Sequence, residues 1–508
     1  MKINLLLILM LMGQWTTAQT VFDWASAPQG VEMEYIHLEA LPDGGIFAVS
    51  DNDRLNEMRH PWFFVDGKGK HFEDRQLAGN ENTNILMRFD RDGALLWWQS
   101  WREENISIVD TEMGKDGKIY MLVYVEYDDY FNNYDYDYYE EEETDEVIIE
   151  YGAVPNYHRD KYIKTPVGYA LVRLSQEGSV EQVVSLEQFN DIDSEVNLVD
   201  FELYGDDQYV VAGDVDEGTY TENMDLPCNG VGGDFIMLLD NEGKKVWWDI
   251  IVNRKFKYCS SDMEANHLSV AKDGTIYFGV SYVEGACFSN GMQKVAPVNY
   301  KVKQYGSARE SYVVSYSPNG KMNWIKMGEG NSHFIGLTKT KSGVCLVHRL
   351  YEDVRSFGEE VDTIGGGWNI VFTHIDKKGK LDWNLVTEMS ALGNLIVDDQ
   401  QNIVAAGRLN KEGTNYLRSV KLGDIELDEK IESVVVKISP KGAVKEVWGA
   451  DFGTKGFESP IVIQNNKGEF FLGTEVWVGG GLKLNIRYKE LPEVVKSGGA
   501  AVLGKIKF

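Results

Sequence analysis

Two turn signals alternate along almost the whole chain, and no other feature limits its fold so severely. The first is a polar tight turn followed by an apolar-alternating strand. It is centred on Gly44, Gly117, Gly274, Gly343 and Gly468, with Asp207 and Gln401 at the equivalent place in two further copies. Asp-Gly and Lys-Gly pairs supply the positive φ that such a hairpin needs, and the β-branched and aromatic residues that follow favour strands. The second signal is a strand, then Asp/Ser-x-x-Gly, then another strand. It is centred on Gly93, Gly178, Gly243, Gly320, Gly379 and Gly442. Trp97, Trp247, Trp324 and Trp383 stand four residues after their glycines, and Trp448 six after its own. One hairpin of each kind defines a four-stranded antiparallel unit.

Seven turns of the first kind face six of the second. The last unit stops within residues 501–508, which match a third strand, so its fourth strand is missing. Near the start of the chain Phe22-Asp23-Trp24 resembles the fourth-strand segment Leu381-Asp382-Trp383. An N-terminal strand that completes the last unit joins the two ends into a ring and leaves no long open edge between first and last unit. The predicted fold is therefore all-β, a seven-bladed β-propeller whose last blade is closed by the N-terminal strand. The blades average about 71 residues, from Gly44 to Gly468 over six intervals. That exceeds the about 40–45 of a WD-type blade. The excess lies mostly between strands 2 and 3, which puts long loops on one face of the disc, and loops carry function more often than scaffold does.

The Asp-x-x-Gly turn with its downstream Trp, and the turn Asp116-Gly117-Lys118-Ile119-Tyr120, resemble the secreted bacterial SBBP-type propeller repeats, and more loosely the PQQ-type and WD-type propellers. The resemblance covers nearly the whole chain and implies the propeller fold. It implies no particular activity, because propellers host unrelated ones. No tryptophan-docking repeat is consistent enough to imply a quinone cofactor.

The ends and the composition bound the setting. Met1-Lys2-Ile3-Asn4, an apolar run from Leu5 to Met12 and small residues up to Ala18 read as a signal peptide over residues 1–18. That leaves residues 19–508 as a single propeller domain, secreted or periplasmic, with no second segment long enough to span a membrane. The formal charge of −30 disfavours nucleic acid and anionic lipid as partners. Of four cysteines, Cys228, Cys259 and Cys287 fall in loops, where one disulfide among them is plausible. Cys345 falls in a strand and reads as a buried thiol.

Counting seven residues back from each first-turn position gives His37, Asp110, Asp200, His267, Gly336, Asn394 and Ile461. Ten back gives Glu34, Ser107, Asn197, Glu264, His333, Ala391 and Glu458. Both sets fall near the start of each innermost strand, so they ring one mouth of the central channel. The ligand-binding candidates are Glu34, His37, Asp110, Asp200, Glu264, His267, His333 and Glu458. Carboxylates and imidazoles that converge there could bind a ligand or act as acid and base; the bland alternative is a wet polar channel lining. Residues 126–146 pack many carboxylates and six Tyr into one loop. With no complete EF-hand pattern, calcium is a weak expectation, and no cofactor or metal is assigned. The aromatic run Trp62-Phe63-Phe64 reads as a local mini-core, and the repeated Trp residues as packing between blades.

No nucleophile elbow, metalloprotease helix or phosphate loop is present. The leading expectation is a secreted, non-catalytic binding or interaction module. Its partner would be a protein or a glycan on the face with the long loops, and the chain itself a monomer or a subunit of a surface assembly. The alternative is a propeller enzyme that acts on carbohydrate through the carboxylates and histidines of the channel mouth.

Overall fold

Four of the five first-turn glycines, Gly44, Gly117, Gly274 and Gly468, take the positive φ that the turn pattern suggested, and Gly343 does not. Gly117 has φ 78°, and Gln401 takes φ 64° without a glycine's freedom. That strained residue is pinned by its neighbour: the Asp398 carboxylate accepts the main-chain N–H groups of Gln400 and Asn402, at 2.9 and 2.7 Å. In the third copy the positive φ falls at Gly205 instead of Asp207, because Tyr204 pairs with Gln208 and tightens that turn.

The structure is a computed structural model. It describes residues 21–29, 34–51, 62–66, 68, 70–74, 84–101, 106–125, 146–153, 162–189, 196–205, 207–215, 233–253, 267–283, 286–288, 309–328, 332–350, 354–357, 359–361, 369–409, 420–427, 433–450, 457–478 and 498–507. These form seven antiparallel sheets of at least four strands, the blades of a propeller. The innermost strands, in order, are Glu34–Ala40, Ile106–Met113, Val196–Tyr204, His267–Val270, Ser332–Lys339, Met389–Val397 and Phe457–Gln464. No described helix is long and apolar enough to cross a membrane.

The ring closes as the turn count required. Val21–Gln29 is the outer strand of blade 7, antiparallel to Gly498–Lys507, with Phe22 opposite Ile506 and Trp24 opposite Lys505 across a bulge at Asp23. The inner strands of blade 7 and blade 1 also pack together, with Ile463, Phe471 and Leu503 against Tyr35, Leu38 and Ile46. Strands buried on both faces need apolar residues at successive positions, not alternate ones. In blade 1, Ile46 and Ala48 face blade 7, while Phe47 and Val49 face blade 2.

The repeated tryptophans do dock, and in one way at four junctions. The indole N–H of Trp97, Trp247, Trp324 and Trp383 donates to the carbonyl of Gln176, Pro318, Lys377 and Pro440, at 2.8, 3.3, 3.0 and 3.0 Å. Each acceptor lies two residues before the second-turn glycine of the next blade, and the ring lies against that glycine. A Cβ at Gly320, Gly379 or Gly442 would meet the indole at 2.6–2.9 Å. Blade 2 keeps the turn but has Gln182 at the Trp position, and blade 6 has its Trp448 six residues after Gly442 instead of four.

A basic side chain occupies the second-strand-facing rung of strand 3 in five blades: Arg88, Arg173, His374, Lys437 and Lys505. Each has an acidic partner: Asp43 at 2.7 Å, Glu181 at 3.5 Å, Asp382 at 2.9 Å, Asp398 at 3.0 Å and Glu469 at 2.6 Å. Asp43, Asp398 and Glu469 tie strand 3 to the first turn, and Glu181 and Asp382 tie it to strand 4.

Part of the material inserted between strands 2 and 3 runs to the rim. In blade 1, Trp62–Val65 and His71–Asp74 form a hairpin whose first strand extends the outer strand of blade 7. The hairpin Glu146–Ala153 with Tyr162–Pro166 extends blade 1, and Ala286–Phe288 extends blade 3. An outer strand exposes unpaired backbone groups, and these additions cover it. Cys287 lies on the last of them, and Cys228 and Cys259 lie outside the described residues, as do residues 126–145. Cys345 is a fully buried free thiol.

Candidate functional site

Most inner strands share one irregularity. The pairing register slips by one residue between Tyr35 and His37, Ile108 and Asp110, Leu198 and Asp200, and Phe334 and Gly336. Wider slips fall at Leu392/Leu395 and Glu458/Ile461. The extra residue in each of the first four is β-branched: Ile36, Val109, Val199 and Ile335. A bulge turns the following side chain to a new direction. The residue it redirects is the one found seven back from the turn. His37, Asp110, His267 and Ile461 pair with the fourth residue of their second strand, Asp200 and Gly336 with the fifth, and Asn394 falls within its own bulge.

Four of these polar residues meet. His37 Nδ1 lies 3.4 Å from Asp110 Oδ1, and His267 Nδ1 lies 3.8 Å from Asp200 Oδ2. The Asp110 and Asp200 carboxyl groups hydrogen-bond to each other. Both are also bound to main chain across a blade junction. Asp110 Oδ2 accepts the Phe201 N–H at 3.1 Å, and Asp200 Oδ2 accepts the Leu268 N–H at 2.7 Å. In both cases the donor is the residue after the ring position of the next blade. Asn394 repeats the bond in neutral form: its Oδ1 accepts the Val462 N–H at 2.7 Å, and its Nδ2 donates to the Val462 carbonyl at 3.0 Å. The innermost strands have no strand partner on the channel side, so a side chain from the preceding blade satisfies their free backbone groups.

A second tier lies two residues further along three of the strands. Period-two geometry puts Glu39, Glu112 and Glu202 on the same side as His37, Asp110 and Asp200. Glu39 Oε1 accepts from the Thr111 hydroxyl at 3.4 Å. The Lys339 ammonium of blade 5 reaches past blade 4 to Glu202 of blade 3, at 2.9 and 3.3 Å, while its own N–H donates to Ser269 Oγ of blade 4 at 3.2 Å. One lysine thus lies along the wall between two blades that are not neighbours.

The electrostatics follow from enclosure by the blades. Burial holds His37 below its ordinary value against the pull of Asp110, and takes His267 down to about 4. Burial raises Asp110, and raises Asp200 well above the carboxylate range, with the Asp110 charge adding to the effect. Burial and then the neighbouring acids push Glu39 and Glu112 up in the same way. Burial alone would lower the Lys339 ammonium, but Glu202, Glu112 and Glu39 outweigh it and hold it above its usual value.

The eight sequence-derived candidates thus divide. His37, Asp110, Asp200 and His267 come together. Glu34 and Glu458 are placed by their backbones, opposite Asp51 and Glu475. His333 lies opposite Arg349 in blade 5, and Glu264 lies outside the described residues. Glu39, Glu112, Glu202 and Lys339 were missed; a count of five back from the turns would have found the three glutamates. No group of three or more His, Cys, Asp or Glu among the described residues is placed to hold a metal ion.

No family model matches the chain, and no curated protein does. Several solved structures are similar to it at low identity. Polysaccharide lyase Uly1 is 11% identical over 93% of this chain and 90% of its own, with a TM-score of 0.44. A protein of unknown function from Dyadobacter fermentans is 10% identical over 97% and 99%, with a TM-score of 0.39. A catalytically inactive virginiamycin B lyase from Staphylococcus aureus, bound to quinupristin, is 8% identical over 94% and 99%, with a TM-score of 0.36. No residue role is taken from any of them.

Proposed function

We propose that this chain is an exported, non-catalytic binding or interaction propeller that meets a protein or glycan ligand on the face carrying the strand 2-to-3 insertions. Its turn pattern supports a place beside the SBBP-type propellers. The observation that carries the non-catalytic reading is the commitment of the channel carboxyl groups to the scaffold. Asp110 and Asp200 hold main-chain N–H groups of the next blade as well as each other, and Glu202 is engaged by Lys339. A general acid or base needs an oxygen free to reach the reacting proton. Here those oxygens stitch blades together.

The test is a glycan and envelope-protein array probed with the chain over residues 19–508, followed by calorimetry on any ligand and an assay for its breakdown. Saturable binding without product is expected. Product formation that disappears in Asp110→Asn would overturn the non-catalytic reading, and an absence of any saturable ligand would overturn the binding reading.

A further inference from the structure

Two carboxyl groups within hydrogen-bonding distance of each other cannot both be ionised and keep that bond; one must carry a proton. Asp110 and Asp200 are such a pair, and each also grips the backbone of the following blade. We propose that the Asp110–Asp200 pair is a pH-operated clasp on the channel side of blades 2, 3 and 4. With one proton shared, both carboxyl groups hold their main-chain partners, Phe201 and Leu268. When that proton leaves, repulsion turns one carboxylate away and frees the N–H it held.

The surroundings set the direction. The groups facing the pair are His37 and Glu39 from blade 1, Glu112 from blade 2, Glu202 from blade 3, His267 from blade 4 and Lys339 from blade 5. Both imidazoles are held toward the neutral form, so they offer the pair no cation near neutral pH. Three glutamates oppose its full ionisation and one lysine favours it. The sum retains the shared proton at low pH and releases it as the pH rises. Mechanically, the inner ends of blades 3 and 4 loosen in base and close in acid.

The molecule contains its own control. Asn394 makes the same bond to Val462 at the junction of blades 6 and 7 with nothing to titrate. Amide hydrogen exchange on the full-length protein, corrected for intrinsic exchange, should show protection at Phe201 or Leu268 falling by at least about tenfold from about pH 6 to about pH 9. Val462 should keep its protection over that range. Asp200→Asn, which imitates the neutral junction, should flatten the response at Phe201 and Leu268. Equal pH responses at all three amides, or a response that persists in Asp200→Asn, would overturn the clasp. The comparison with Val462 decides the matter in the unsubstituted protein even where the variant fails to fold.

Discussion

From blade 1 to blade 4 the ring position reads His37, Asp110, Asp200 and His267; from blade 5 to blade 7 it reads Gly336, Asn394 and Ile461. The two sides do the same structural task with different chemistry. A carboxyl group of one blade accepts the backbone N–H of the next on the first side. On the second, an amide accepts that N–H and also donates to the carbonyl of the same residue. An amide therefore suffices to join blades, and it costs no desolvated charge. Carboxyl groups at the other junctions are not required by the scaffold. They add titration, which the amide cannot.

The neutral side can be broken outright. Asn394→Leu removes both bonds to Val462 and leaves a buried N–H and C=O without partners, at a cost of about 2–4 kcal/mol. Urea denaturation at several pH values should show a loss that does not vary with pH.

The charged side should break conditionally. Lys339→Met leaves Glu39, Glu112 and Glu202 unbalanced. With the Lys339 side chain 44% exposed, the expected loss at neutral pH is about 2 kcal/mol, below the full cost of breaking a buried pair. Glu39 and Glu112 have folded pKa values above their unfolded ones. Their contribution is present at low pH and lost as the pH rises through the folded values. The variant's deficit should shrink as the pH falls, because protonation removes the charge that Lys339 balanced.

His267 works in the opposite sense. Its folded pKa, about 4, lies below the unfolded value, so it supports stability at neutral pH, and that support drains as the pH drops from about 6.5 through about 4. In His267→Gln, thermal unfolding midpoints should fall less steeply with acidification over that window. An unchanged slope would place the acid sensitivity elsewhere.

The smallest effect concerns blade 5 alone. His374 occupies a rung that holds Arg88, Arg173, Lys437 or Lys505 in four other blades, and Asp382 stands 2.9 Å from it. Burial lowers its pKa against the pull of Asp382, so near neutral pH the rung lacks the cation its counterparts carry. His374→Arg should raise stability by up to about 1 kcal/mol, read as an upward shift in the denaturation midpoint.

The blade count and the closure were legible because they rest on local chemistry. A turn glycine, an alternating strand and one missing partner strand can all be read within a few residues. The ring position was legible for a related reason, since register counted back from a hairpin is conserved by the pleat. The bulge at Ile36, Val109 or Val199 adds one residue between seven and ten back, so Glu34, Ser107 and Asn197 pair two rungs beyond His37, Asp110 and Asp200. The second tier lies on the hairpin side of that bulge, where alternation still holds, so five back was within reach. The span from Lys339 to Glu202 was not. Those residues lie 137 apart in sequence, and only the curvature of the ring brings them together.

The strand Val21–Gln29 has a consequence for assembly. Every other described blade core can form from neighbouring stretches of chain. Blade 7 alone joins residues near opposite ends, with Val21 opposite Lys507. Closing so large a loop carries the greatest entropic cost in the molecule and gives that blade the highest contact order. In a chain that emerges N-terminus first, Ala27–Gln29 can pair early with Phe63–Val65, whereas Val21–Ser26 waits for Leu503–Lys507. The ring becomes complete only when Leu503–Lys507 has formed its pairs with Val21–Ser26.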